Sequence, residues 1–359
     1  MEKKEIYAFE YDELKKILEL KFGLDKKQKS MRTNQIWKFI YKNGFSDPDH
    51  FKNLPLEFIK KIKEQFDFDR IKVQEEKRST DGTIKWLLKL KDGNLVETVY
   101  IPFGKTGTLC VSSQVGCTLN CKFCHTGTQM MVRNLETNEI IQQILIARDN
   151  LKDWKTEKKI RNIVYMGMGE PFYNFENVKK SISILNHSDG LGFTCKRITV
   201  STSGISPQIS LAANEIKTRL ALSLHAPTDD IREKIMPINK KYKISDLVES
   251  CINYASINKE KIFLEYVLLK NINDTEKCAK DLIKLMSKFP CKLNIIEFNA
   301  WPGVNYEPSD KEVVNRFFNI IKKSGNIVTL RKSKGEDILG ACGQLKTESE
   351  KSRNNKSYN

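Results

Sequence analysis

From Thr108 to Leu330, short apolar runs alternate with helical stretches, and this alternation confines the chain to few folds. The runs are 108–113, 163–168, 198–203, 220–224, 262–269, 293–298 and 327–330, separated by amphipathic stretches such as 137–151 and 174–185. Strand–helix alternation with short connections requires a parallel sheet with crossover helices. Six or seven repeats suit an α/β fold of the partial or open (β/α)6 barrel type better than a doubly wound sheet. Whether the sheet closes is left open by the pattern. In such a barrel, chemistry collects at the carboxyl ends of the strands.

The loop after the first of these strands carries Cys117, Cys121 and Cys124. A C-x3-C-x2-C triplet is one thiolate short of a structural zinc site, which usually pairs its ligands as C-x2-C. It suits a [4Fe-4S] cluster in which one iron has no protein ligand. The amino and carboxylate groups of S-adenosylmethionine can chelate such an iron, and an electron from the cluster then cleaves the sulfonium to a 5′-deoxyadenosyl radical. The competing reading is a set of reduced cysteines that happen to fall close together.

Composition narrows the setting. The chain has 359 residues, of which 40% are hydrophobic, enough for a full-size enzyme domain and a smaller one. No apolar run reaches membrane-span length, and Met1–Glu5 offers no apolar leader, so a cytoplasmic protein is expected. Nine cysteines, three of them clustered, fit free thiols and a cluster in a reducing compartment rather than a disulfide framework. A formal charge of +16 suits an enzyme that approaches a phosphate backbone, although a lysine-rich genome gives the same excess.

Residues 1–80 read as a small helical accessory domain that holds RNA, with stripes at Leu14, Ile17 and Leu18, at Ile36, Trp37 and Ile40, and at Ile59, Ile62 and Phe66. Residues 81–107 read as a linking β-hairpin turned at Asp92-Gly93. Glu97 alternates with Leu95, Val99 and Ile101 and so points to the face they bury. A carboxylate there needs a lysine or arginine partner, or else serves as a general base. Residues 108–345 are assigned to the barrel and a catalytic C-terminal loop, and 346–359 to a polar, disordered tail.

Further strand ends carry polar chemistry. Met166-Gly167-Met168-Gly169-Glu170-Pro171 combines glycines that admit a ligand with a carboxylate that can accept from an ammonium group. Ser201, Ser223-Leu224-His225 and Asn299 suit a ribose, a carboxylate or an adenine, and Lys122, Arg133 and Arg197 are candidate partners for phosphates or for a cofactor carboxylate. Cys342, flanked by glycine in Gly340-Ala341-Cys342-Gly343, is a candidate nucleophile, and Cys110 a weaker one. Cys195, Cys251, Cys278 and Cys291 read as inert packing.

The run from Thr108 to Cys124, Arg133-Asn134-Leu135, Met166–Pro171, Ser223-Leu224-His225 and Ala341-Cys342-Gly343 together resemble the RlmN/Cfr family of radical SAM RNA adenine methyltransferases. His125-Thr126-Gly127-Thr128-Gln129 is similar to the alphaproteobacterial RlmN branch. The resemblance implies methylation of carbon 2 of adenine 2503 in 23S rRNA and of adenine 37 in tRNA. It implies that Cys117, Cys121 and Cys124 hold the cluster, and that Gly169, Glu170, Ser201, Ser223, Leu224, His225 and Asn299 contact S-adenosylmethionine. Cys342 would carry a methyl group taken from one S-adenosylmethionine, and a second would supply the radical that activates it. Cys110 would release the product by forming a transient disulfide with Cys342. The proton lost from carbon 2 would go to Glu97 or to the Cys110 thiolate. The implied partners are rRNA, tRNA, a one-electron donor such as flavodoxin or ferredoxin, and a dithiol reductant, with no membrane and a monomeric chain. The rivals are Cfr-like methylation at carbon 8, a non-catalytic RNA-binding iron–sulfur redox sensor and, weakest, a zinc module.

Overall fold

The computed structural model describes residues 3–154 and 158–347. Three antiparallel strands, β1 (Lys72–Arg78), β2 (Ile84–Lys89) and β3 (Leu95–Phe103), lead into β4 (Thr106–Cys110). From β4 the sheet turns parallel through β5 (Ile160–Tyr165), β6 (Ile198–Thr202), β7 (Arg219–Ser223), β8 (Ile262–Leu268), β9 (Cys291–Glu297) and β10 (Val328–Arg331). These ten strands stand in chain order across one sheet, with β1 and β10 as its edges, so the barrel is open. The crossovers carry α4 (Thr137–Leu151), α5 (Phe175–Asn186), α6 (Ser206–Glu215), α7 (Asp229–Ile235), α8 (Ile244–Asn258), α9 (Glu276–Met286) and α10 (Lys311–Lys323), which follow α1 (Tyr11–Phe22), α2 (Lys26–Tyr41) and α3 (Leu56–Gln65) of the N-terminal unit.

The elements form where local chemistry favours them. Gly23 ends α1 in the left-handed region, and the Asp25 carboxylate caps α2 by accepting from the Lys27 and Gln28 amides. Helix α4 is buried on nearly every side because the sheet covers one face and the N-terminal unit the other. Across the second contact, the Ile71 amide donates to Gln142 Oε1 at 2.7 Å and Arg70 Nε lies 3.1 Å from Asp149. Among the described residues, no helix is long and apolar enough to cross a membrane.

The division of the chain differs from the expected one in three ways. Helix ends at Gln65, and Lys72–Arg78 is a strand of the main sheet. All seven of its residues are exposed, so no apolar alternation announced it, and its charges blunt a free edge. Tyr7, Trp37 and Tyr41 share one continuous apolar core with Ile140 and Ile144, so the N-terminal unit is packed onto the barrel. Lastly, the segment from 346 is not loose where it is described. The Lys346 amide donates to Glu97 Oε2 at 2.9 Å, and buried Thr347 donates to the Leu95 carbonyl at 3.1 Å. Residues 348–359 lie outside the described residues.

Candidate active site

The carboxyl ends of the parallel strands and the loop around Cys342 enclose a cleft with about 1080 Å³ of open space. Cys117, Cys121, Cys124, Gly169, Glu170, Ser201, Ser223, His225 and Cys342 all line it. The cysteine loop turns tightly: Gly116 has φ +78°, and a Cβ there would meet the Met130 carbonyl oxygen at 2.3 Å. The Cys124 amide donates to Cys121 O at 3.1 Å, and the Gly127 amide to Cys124 O at 3.0 Å. Burial raises the Cys117 thiol to about 12 and the Cys121 thiol well above its ordinary value, and the neighbouring cysteines push both further up. The three sulfurs line one cleft, walled by Leu119 and Phe123, and a multiply charged metal cluster would be the counterion that makes them thiolates.

The next strand end builds a cradle. Gly169 has φ +95°, and a Cβ on it would lie 2.4 Å from Gln114 Cβ. Gln114 Oε1 in turn accepts from the Glu170 amide at 2.8 Å. Glu170 is buried, and its oxygens accept from Ser203 N at 2.7 Å and Phe172 N at 3.1 Å. The Thr202 and Ser203 side chains also lie within reach of this carboxylate, so an ammonium group there would share its oxygens with them. Burial raises its pKa and the hydrogen bonds oppose that shift. Gly169→Ala is therefore expected to displace Glu170 and to weaken S-adenosylmethionine binding by about tenfold or more, read by titration calorimetry.

His225 Nδ1 accepts from Val267 N at 3.0 Å. Burial and the Arg232 charge push its pKa down to about 3, so the ring is neutral with its proton on Nε2. Ser201 Oγ and Ser223 Oγ stand 3.5 Å apart on adjacent strand ends. Leu224 is wholly buried and does not line the cleft, its amide donating to Glu265 O at 3.1 Å. Asn299 stands beside the cleft and donates from Nδ2 to Cys342 O at 3.4 Å.

Cys110 sits in a small apolar cluster with Val99, Met168 and Leu345, behind the cleft wall that Leu345 helps to form. Burial and the nearby Cys342 raise its thiol to about 12. Glu97 does not line the cleft. Its Oε1 is 2.7 Å from Lys85 Nζ, and burial still raises its pKa against that partner. Arg133 is not a phosphate partner, because Glu139 grips its guanidinium with two bonds of 2.7 Å and Asp92 with one of 2.6 Å. Arg197 precedes β6 at the amino end of the strands, away from the cleft, and reaches Asn162 Oδ1 at 3.4 Å. Lys122 is exposed beside the cysteine loop.

Three charged groups complete the site without having been foreseen. Glu265 and Arg331 line the cleft near Cys342. Glu265 is buried, accepts from Asn294 Nδ2 at 2.8 Å, and lies 3.5 Å from Arg331 Nη1. Its position inside an apolar strand run is the same signal that marked Glu97. Arg232 is fully buried under the strand ends, and helix α7 gives no hint of that. It donates to Leu224 O at 3.1 Å, to Ser203 O at 2.6 Å and to Ser223 O at 3.2 Å.

Comparison with known proteins agrees with this geometry. Residues 111–283 match the model of the Radical SAM superfamily. The dual-specificity RNA methyltransferase RlmN of Parvibaculum lavamentivorans is 47% identical over 92% of this chain and 86% of its own. That of Rhizobium meliloti is 46% identical over 98% and 90%. The crystal structure of a radical SAM methyltransferase from Sphaerobacter thermophilus superposes with a TM-score of 0.89 at 35% identity, covering 95% of this chain and 98% of that one. With that extent of identity, and with Cys117, Cys121, Cys124, the Gly169 turn and Cys342 converging on one cleft, the chain belongs to the RlmN family of radical SAM RNA methyltransferases, which work with a [4Fe-4S] cluster and S-adenosylmethionine.

Proposed function

We propose that this chain methylates carbon 2 of adenine 2503 in 23S rRNA and of adenine 37 in tRNA, with Cys342 as the methyl carrier and Cys110 as the thiol that releases the product. The observation that carries this reading is the presence of Cys342 in the same cleft as Cys117, Cys121 and Cys124. An exposed thiol opposite a cofactor cradle is placed to receive a methyl group and to present it to a base.

Cys117, Cys121 and Cys124 would hold the cluster, and Glu170, Ser201, Ser223 and His225 would hold S-adenosylmethionine. The bound pair supplies an electrophilic methyl group and a radical that abstracts hydrogen. The chain's own task is to prepare two sulfurs. Although Cys342 is exposed to the cleft, burial among the surrounding walls raises its thiol to about 11; Arg331 pulls it down, while Glu265 and Cys124 push it up. It is thus protonated at neutral pH and must lose that proton to act as a nucleophile. Cys110 stays protonated and shielded until the Cys342 sulfur approaches it. Release would then form a sulfur–sulfur bond as the Cys110 thiol gives up its proton, and break the bond from the Cys342 sulfur to the product carbon. That bond's electron pair goes to the carbon, which takes up a proton to complete the methyl group, and a disulfide is left for a dithiol to reduce. Glu97 lies under the 339–347 segment, so it reaches substrate only when that segment moves.

The thiol shift gives a pH dependence. In cluster-free protein, iodoacetamide labelling of Cys342 is expected to rise about tenfold per pH unit from 7 to 10, since the thiolate fraction grows until pH passes the raised pKa; mass spectrometry of the labelled peptide checks it. The functional test is anaerobic reconstitution, reduction, and incubation with a naked rRNA fragment, followed by mass mapping of the methyladenosine isomer. The 2-methyl isomer is expected. The 8-methyl isomer would move the chain to the Cfr-like activity, and no cleavage of S-adenosylmethionine would leave the redox-sensor reading.

A further inference from the structure

Cys342 rides on residues 339–347, a segment with no helix or strand of its own. Such a segment is held in place by whatever its backbone meets. Three residues before Cys342, the Leu339 carbonyl accepts from Lys85 Nζ at 3.1 Å. Four residues after it, the Lys346 amide donates to Glu97 Oε2 at 2.9 Å. Lys85 and Glu97 are themselves joined, Nζ to Oε1, at 2.7 Å, with side chains only 9% and 5% exposed. A single buried ion pair on the antiparallel strands β2 and β3 therefore grips both ends of the loop that presents Cys342.

A buried pair is favourable only when further hydrogen bonds satisfy both partners, because desolvation otherwise cancels the attraction. Here the loop backbone supplies those bonds. Lifting the loop uncovers the pair, and discharging the pair removes the holds at the loop's two ends. The middle of the loop keeps its own, since the Gly343 carbonyl accepts from His125 N at 2.7 Å, the Leu345 carbonyl from Thr126 Oγ1 at 2.5 Å, and Gln344 Nε2 donates to Ala300 O at 2.8 Å. Neither side chain lines the cleft. The surrounding apolar face, with Val99 and Leu345, needs filling but has no need of charge.

We infer that Lys85 is a positioning residue, which with Glu97 forms a latch that holds the Cys342 loop over the cleft. This rests on the reading of Cys342 as methyl carrier and adds what keeps that carrier in register.

The test compares Lys85→Met and Lys85→Met/Glu97→Leu with the parent chain, each reconstituted anaerobically. Hydrogen exchange at 339–347 is expected to rise about tenfold or more in both variants while the remaining sheet stays within about twofold, since only the local opening changes. Methyl transfer by Lys85→Met should fall at least tenfold in kcat, with KM for RNA within about twofold, as expected for a misplaced group rather than lost binding. The double variant carries no unpaired buried charge, so it reports even where the single one does not fold. Parent-like protection of 339–347 in the double variant would overturn the latch, because filling and the bonds to His125, Thr126 and Ala300 would then suffice. Exchange that rises evenly across the sheet would overturn it too. Exchange is read without substrate, so a parent chain that methylates no RNA refutes the proposed function and still decides the latch.

Discussion

Cys342→Ala is expected to abolish methyl transfer to RNA, by a factor of about 10³ or more, while iron content and reductive cleavage of S-adenosylmethionine persist. The residue is exposed at the cleft edge and contributes no packing to the core. Removing its sulfur therefore deletes the proposed carrier and little else. Cys110→Ala is expected to fail differently. Its side chain is one of four buried members of a small cluster with Val99, Met168 and Leu345, so loss of one sulfur leaves the fold in place. The first chemical steps should then run, and RNA should accumulate covalently attached to Cys342 as a band that survives denaturing electrophoresis. Methylated RNA released by Cys110→Ala at the parent rate would remove Cys110 from the mechanism. Product from Cys342→Ala would remove the carrier itself.

Arg232→Met should have the largest effect on stability of any single change near the cofactor cradle. The guanidinium is fully buried and ties together the Ser203, Ser223 and Leu224 carbonyls, while Nη1 donates to Asn239 Oδ1 at 3.0 Å. Burial lowers its pKa to about 10, against the pull of Cys121. It stays charged at neutral pH all the same. A methionine fills similar volume but leaves these acceptors without a donor. The expected cost is on the order of 3–5 kcal/mol, a fall in Tm of roughly 5–10 °C. Because two of those carbonyls belong to Ser203 and Ser223, which line the cleft, S-adenosylmethionine binding should weaken as well. Scanning calorimetry with and without the cofactor separates the two effects. A Tm within about 1 °C of the parent would mean that water replaces the guanidinium.

The legible features were local ones. The cysteine triplet, the glycine–glutamate turn and the strand-end serines each lie within a few residues of one another. A parallel strand that ends in a loop delivers such groups to one face whatever else the chain does. The seven parallel strands, β4 to β10, fall within a few residues of the apolar runs that announced them. Strand β1 escaped notice because Lys72–Arg78 is polar apart from Val73, and a strand exposed on both faces carries no period-two signal. Arg133 looked available for phosphate because its two partners, Asp92 and Glu139, come from different elements.

By itself, the sequence determined the class of fold, and it marked the cysteine triplet, the glycine–glutamate turn and Cys342 as candidates for the chemistry, each within a spacing shorter than one helix. The tertiary structure decided which charges are spent on architecture. Glu97 meets the Lys346 amide 249 residues away, and Lys85 meets the Leu339 carbonyl across 254. Pairings over such separations follow from how the sheet and its C-terminal segment pack, since the free energy of a buried charge depends on the groups that close around it and not on its neighbours in the chain.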